Sequence, residues 1–145
     1  MKAPVFGTRL EDRTYVRRPS AYALLQNAAG HWAVVRTREG CFLPGGGMER
    51  DETAQQTVER EAQEECGFLL KPGAVAMQAI QFVYSSEEHQ YFEKICEFVE
   101  AELIGTVAPS EKDHQTVWLN VDQAVDALSH ESHRWAVARA SGRVS

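Results

Sequence analysis

Residues Gly46 to Phe68 read GGMERDETAQQTVEREAQEECGF. This stretch decides the fold because it holds a loop, a helix and a stop at defined offsets. Gly45, Gly46 and Gly47 allow close backbone approach and positive φ, and with Pro44 they are not expected to continue regular structure. Thr53 to Glu65 then reads as a helix. Thr53 and Gln56 have capping-box spacing at its start, and Gly67 supplies the stop. Ala54, Val58 and Ala62 recur every four residues and form an apolar stripe. Glu61, Glu64 and Glu65 fan over one adjoining side, so they sit at the edge of the buried face and point into a groove. Carboxylates this close raise one another's pKa unless positive charge lies among them. A hard divalent cation with oxygen ligands, magnesium or manganese, fits that requirement. Glu52 lies where the helix dipole favours negative charge. Arg60, flanked by acids, is expected to pair with a carboxylate and fix its rotamer.

Outward from this unit, Tyr15 to Leu25 contains a strand-like run centred on Ala21 to Leu25. Asn27 to Gly30 reads as a hairpin turn, His31 to Thr37 as the partner strand, Arg38 to Gly40 as a second turn, and Cys41 to Leu43 as a short strand. After the helix, Val75 to Tyr84 and Tyr91 to Ile104 read as two longer strands around a polar turn. Thr116 to Leu119 is a further short strand. Asn120 caps a second helix, with Gln123 three residues on and a break expected near Ser129 to Ser132. The order of strands, helix, strands, helix gives an α/β (α+β) class with a mixed sheet covered by helices. The segment through Phe6 adds a strand either in a homodimer or over its own domain.

The length of 145 residues suits one domain spanning 1–145. A net charge of −6 gives no bias toward nucleic acid or anionic membrane, so local basic residues or bound cations must handle a polyanionic phosphate. The three cysteines, Cys41, Cys66 and Cys96, are odd in number and widely spaced, which argues against a disulfide framework and a zinc site and for a reduced, cytoplasmic setting. No secretory h-region and no apolar run of membrane-spanning length is expected.

The pattern G-x5-E-x7-R-E-U-x-E-E-x-G-U, with U apolar, is filled by Gly46, Glu52, Arg60, Glu61, Ala62, Glu64, Glu65, Gly67 and Phe68. It resembles the Nudix box, the signature of the Nudix hydrolase family. The resemblance implies an α/β/α sandwich and metal-dependent hydrolysis of a phosphoanhydride in a nucleoside diphosphate linked to another group. It carries over Glu61, Glu64 and Glu65 as metal-binding glutamates and Gly46 as a backbone-carbonyl ligand. Glu61 or an acid in a later loop becomes the general base. Glu111 is the first choice in that loop and Asp113 the second, with Glu93 and Glu97 as weaker options. Arg60 joins Glu61, Glu64 and Glu111 in the catalytic set. Many boxes carry glycine before the first glutamate; here Asp51 stands there, and aspartate tolerates unusual backbone angles better than most residues.

Substrate choice stays open. A proline-rich tail motif and a coenzyme A signature are absent, and Pro72 falls too early for the proline associated with ADP-ribose enzymes. Tyr84 lies near the position of a tyrosine associated with diadenosine polyphosphate hydrolases. Nucleoside triphosphates, oxidised ones included, are equally compatible. Arg36 is a candidate phosphate contact and Tyr84 a candidate base-stacking residue. His130 and His133 read as surface or helix-end residues. The alternative function is a non-catalytic nucleotide or sugar-nucleotide sensor on the same fold.

Overall fold

A computed structural model describes residues 3–143. In chain order the elements are β1 (Val5–Phe6), β2 (Tyr15–Leu24), β3 (Trp32–Thr37), β4 (Gly40–Phe42), β5 (Gly45–Gly47), α1 (Ala54–Cys66), β6 (Phe68–Ser85), β7 (Gln90–Thr106), β8 (Gln115–Leu119), α2 (Val121–Ala127) and α3 (Glu131–Ala140). Five strands form a mixed sheet in the order β1-β6-β7-β2-β5, with β1–β6 and β2–β7 parallel. A second, antiparallel sheet has the order β4-β3-β8.

Strand β2 explains the layering. Its second half is buried on both faces, as its nearly continuous apolar run requires. Successive side chains point to opposite faces. Ala21, Ala23 and the following Leu25 meet Ala54, Val58 and Ala62 of α1 in one core. Tyr22 and Leu24 meet Phe98, Leu128, Ala136 and Val137 in the other, under α2 and α3. The apolar stripe of the box helix is therefore its sheet-facing side, and the adjacent glutamates are left at the rim.

Both capping boxes form. Gln56 N donates to Thr53 Oγ1 at 3.1 Å and Thr53 N to Gln56 Oε1 at 2.9 Å. Gln123 N donates to Asn120 Oδ1 at 2.8 Å. Gly67 closes α1 in the left-handed region (φ 70°), where a Cβ would lie 2.1 Å from the carbonyl oxygen of Val107. The second helical segment breaks between Ala127 and Glu131, as expected.

Three expectations are corrected. Gly45–Gly47 do continue regular structure: they pair antiparallel with Ser20–Tyr22 on the edge of β2. The missing side chains permit this, since a Cβ on Gly45 would come 2.1 Å from Ala21 O. Strands β6 and β7 are longer than their apolar runs, because register shifts around Pro72 to Met77 absorb a residue without an N–H and let the ladder resume. His133 is not a surface residue. It is fully buried, with its ring 4.2 Å from that of Tyr22, and Leu43 N donates to its Nδ1 at 3.2 Å. His130 is half-buried at the N-cap of α3.

The N-terminal segment covers its own sheet. Val5 pairs with Ile80, and Ile80 N donates to Pro4 O at 2.9 Å. No described helix is long and apolar enough to cross a membrane.

Candidate active site

The glycine strand and α1 lock together through the glutamates. Gly45 N donates to Glu65 Oε1 at 2.9 Å. A Cβ on Gly46 would sit 2.9 Å from Glu61 Oε2, so any larger residue there would displace the carboxylate from the position it holds against this backbone. Arg60 organises the rest. Its Nε donates to Glu52 Oε2 at 2.6 Å and its Nη2 to Glu52 Oε1 at 3.0 Å. Nη1 donates to Glu61 Oε1 at 2.7 Å, and Nη2 also reaches Gly47 O at 3.2 Å. Hydrogen bonding to Arg60 holds the Glu52 carboxyl down at about 2, and Glu49 N and Thr57 Oγ1 add further donors. Arg60 is held charged by the same contacts.

Glu61 and Glu65 behave in the opposite sense. Burial raises Glu61, opposed by Arg60 and reinforced by Glu64 and Glu111. Burial raises Glu65 further, although Gly45 N opposes it, and Glu61, Glu111 and Glu64 add to the rise. Glu111 reaches this cluster because its loop is tied to the helix: Ser110 N and Glu111 N both donate to Glu64 O, at 3.1 and 2.9 Å. Ligand atoms of Glu65, Glu111 and His114 lie within 4.8 Å of one another. His114 Nδ1 is 2.8 Å from Glu111 Oε2, but it is buried without an aligned hydrogen-bond partner. Most of the positive charge of Arg60 is spent on Glu52 and Glu61. The remaining oxygen-rich donors therefore fit a hard divalent cation.

The fold thus brings Gly46, Arg60, Glu61, Glu64, Glu65 and Glu111 into one place. Asp113 is exposed in the same loop. Glu93 lies 4.0 Å from Arg17, and Glu97 accepts from Gln78 at 3.2 Å, so both have neighbours of their own. Arg36 is exposed on β3 opposite Gln115 and does not line the cleft. Tyr84 does line it.

That cleft, about 430 Å³, runs from Gly45, Gly46 and Glu65 to an aromatic end formed by Tyr22, Phe42 and Tyr84, with Lys94 and His130 among its walls. An adjoining cleft of about 640 Å³ shares Phe42 and Lys94 and extends to Asp113 and His114. The sequence reading did not single out Lys94, Phe42 or His114. Lys94 had a usable signal: Phe92, Cys96 and Phe98 alternate with it on the buried face of β7, so a lysine there is out of place. His114 had none, since its role depends on where a loop folds back.

Residues 16–140 match the NUDIX domain family, and the chain belongs to that family as a Nudix hydrolase. The class is that of pyrophosphohydrolases. Among solved structures, the chain is similar to a MutT protein from Methanosarcina mazei Go1, at 22% identity and TM-score 0.68, covering 93% of this chain and 97% of that one. It is also similar to the E. coli dihydroneopterin triphosphate pyrophosphohydrolase, at 18% identity and TM-score 0.69, covering 88% and 97%. An ADP-ribose pyrophosphatase from Streptococcus suis 89-1591 matches at 16% identity and TM-score 0.60, covering 88% and 93%. At these identities the likeness establishes the shared fold. No curated protein matches the chain.

Proposed function

We propose that this protein hydrolyses the phosphoanhydride of a nucleoside triphosphate or a related nucleoside diphosphate derivative, using magnesium or manganese. The observation that carries this reading is the carboxylate cluster of Glu61, Glu64, Glu65 and Glu111 packed against the backbone of Gly46. Glu61, Glu64 and Glu65, with the Gly46 carbonyl, would hold the cation. When bound, it neutralises the diphosphate and makes a water a better nucleophile at neutral pH.

The chain's own residues supply the rest. Glu111 is the first candidate to take the proton from the attacking water and Glu61 the second. The water oxygen bonds to phosphorus as the anhydride P–O bond breaks, and the leaving phosphate departs with the bridging oxygen. Arg60 does not reach the reacting atoms in this scheme; it holds Glu61 in position against Gly47 and Glu52. The aromatic end of the cleft takes the nucleoside, with Tyr84 at its mouth. The free cysteines support a reduced, cytoplasmic setting.

A phosphate-release screen with magnesium or manganese tests the proposal. It would cover nucleoside triphosphates, oxidised deoxynucleotides, diadenosine polyphosphates, ADP-ribose and nucleotide sugars, with Glu64→Gln in parallel. Turnover of one class that collapses in the variant is the expected result. Tight binding of one compound to both proteins without turnover would replace the proposal with a sensor role.

A further inference from the structure

We infer that Lys94 reads the base of the substrate, and that the cleft selects a planar heterocycle presenting a ring carbonyl over one presenting an amino group. This rests on the proposed function and specifies the substrate class for that site.

Lys94 sits on β7, between Arg18 of β2 and Gln81 of β6 in register. It lines both adjoining clefts beside Phe42. Among the described residues its ammonium has no ion pair within 4.0 Å and no side-chain hydrogen bond. Burial lowers its pKa, as expected for a cation withdrawn from water without a partner. The nearby acid that acts on it, Glu88, is engaged by Arg18 at 3.3 Å. A cation held this way lacks an acceptor that the protein does not provide.

The surroundings specify the acceptor. Lys94 and Phe42 are shared with the adjoining cleft, which no box glutamate lines, so Lys94 sits toward that end of the site and not among the carboxylates. Phe42 and Tyr84 offer flat surfaces for a ring. Glu39 also lines the cleft and disfavours a second anionic group there. A lysine ammonium donates three hydrogens and accepts none. Between an oxo and an amino group at one position of the ring, it therefore favours the carbonyl oxygen and is repelled by the amino edge. His130, held neutral by burial at about 4, lies tilted against Phe42 with ring centroids 4.9 Å apart and adds no competing charge.

Inosine triphosphate and ATP test this, because they carry an oxo and an amino group at the same purine edge. Steady-state kinetics are measured for the wild type, Lys94→Met and Lys94→Arg, with melting curves to establish folding. The wild type should prefer inosine triphosphate. Lys94→Met should lose about tenfold to a hundredfold in kcat/KM for it, mainly through KM, bringing the two substrates level, while Lys94→Arg keeps the preference. A preference for ATP, an unchanged ratio in Lys94→Met, or an equal loss on both substrates would overturn the inference while leaving the hydrolase reading intact. If the wild type turns over neither, the hydrolase reading for this class fails. Calorimetric titration with inosine monophosphate and AMP then decides the role of Lys94. Weakening confined to inosine monophosphate in Lys94→Met supports it, and equal binding of the two nucleotides overturns it.

Discussion

Arg60 and Glu52 form a two-point bond, with Nε to Oε2 at 2.6 Å and Nη2 to Oε1 at 3.0 Å, that ties the middle of α1 to the loop preceding it. The planar fork of arginine matches a carboxylate in a way that lysine does not. The same guanidinium also fixes Glu61 and the Gly47 carbonyl, so one side chain sets loop, helix and a candidate metal ligand relative to one another. Glu52 is held at about 2 against an ordinary 4.5, so its contribution to stability is fully present above pH 4.5 and is lost as pH falls from there toward 2. Melting temperatures of the wild type and Glu52→Gln should therefore differ at pH 6 and converge as pH approaches 2. A gap that persists at the acid end would mean the pair contributes through packing alone. Arg60→Lys should reduce activity at least tenfold, on the order of a lost charge-assisted bond at the site.

The carboxylate cluster assigns different losses to different positions. Glu64→Gln should lower kcat by at least about a hundredfold with an unchanged melting curve, because Glu64 is half-exposed and its side chain is not part of the packing. Glu111→Gln should cost about 10²–10⁴-fold, the range for a general base, and should abolish the acid limb of the pH–rate profile. The informative comparison is Glu61→Gln. If that variant alone loses the acid limb, the base is Glu61.

Asp51 occupies the left-handed region at φ 67°, in a turn closed by Glu52 N donating to Glu49 O at 3.0 Å. The position thus keeps the geometry that glycine serves in many boxes, using one of the few other residues that accept it. Asp51→Gly should be neutral or slightly stabilising. Asp51→Val, with a branched Cβ at positive φ, should cost about 1–2 kcal/mol. Thermal denaturation checks the order: a valine variant as stable as the glycine variant would show that the turn adapts.

The box was legible in sequence because its features are local. Cap, apolar stripe, glutamate fan and stop all lie within one strand-turn-helix unit, where spacing alone sets geometry. The same holds for the capping box at Asn120. What could not be read depends on partners distant in the chain. Gly45–Gly47 became a strand because β2 offered an edge. Pro72 sits inside β6 because a register shift accommodates it. His114 joined the site only because the backbone of its loop docks on Glu64, while Glu111 in the same loop is expected from the family resemblance and not from spacing. His133 was misread for a related reason: a polar residue on a buried face looks like a surface residue until the second core, under α2 and α3, is assembled.

His133 makes that second core sensitive to acid. It is fully buried and its pKa is pushed well below the ordinary 6.5, chiefly by burial and then by His130. Its Nδ1 accepts from Leu43 N, which requires the neutral ring with the proton on Nε2, and Nε2 is itself buried without a protein partner. On unfolding the ring takes up a proton below pH 6.5. The unfolded state then binds more protons than the folded one, and stability falls as pH drops below that value while remaining intact above it. His133→Phe keeps an aromatic ring against Tyr22 and Phe98 but removes the acceptor for Leu43 N, at a cost of about 1–3 kcal/mol near neutral pH. The variant should also lose this part of the acid sensitivity, so its melting temperature approaches that of the wild type as pH falls from 6.5 toward 5. Parallel melting curves for the two proteins across that interval would show that burial of His133 is not what links the core to pH.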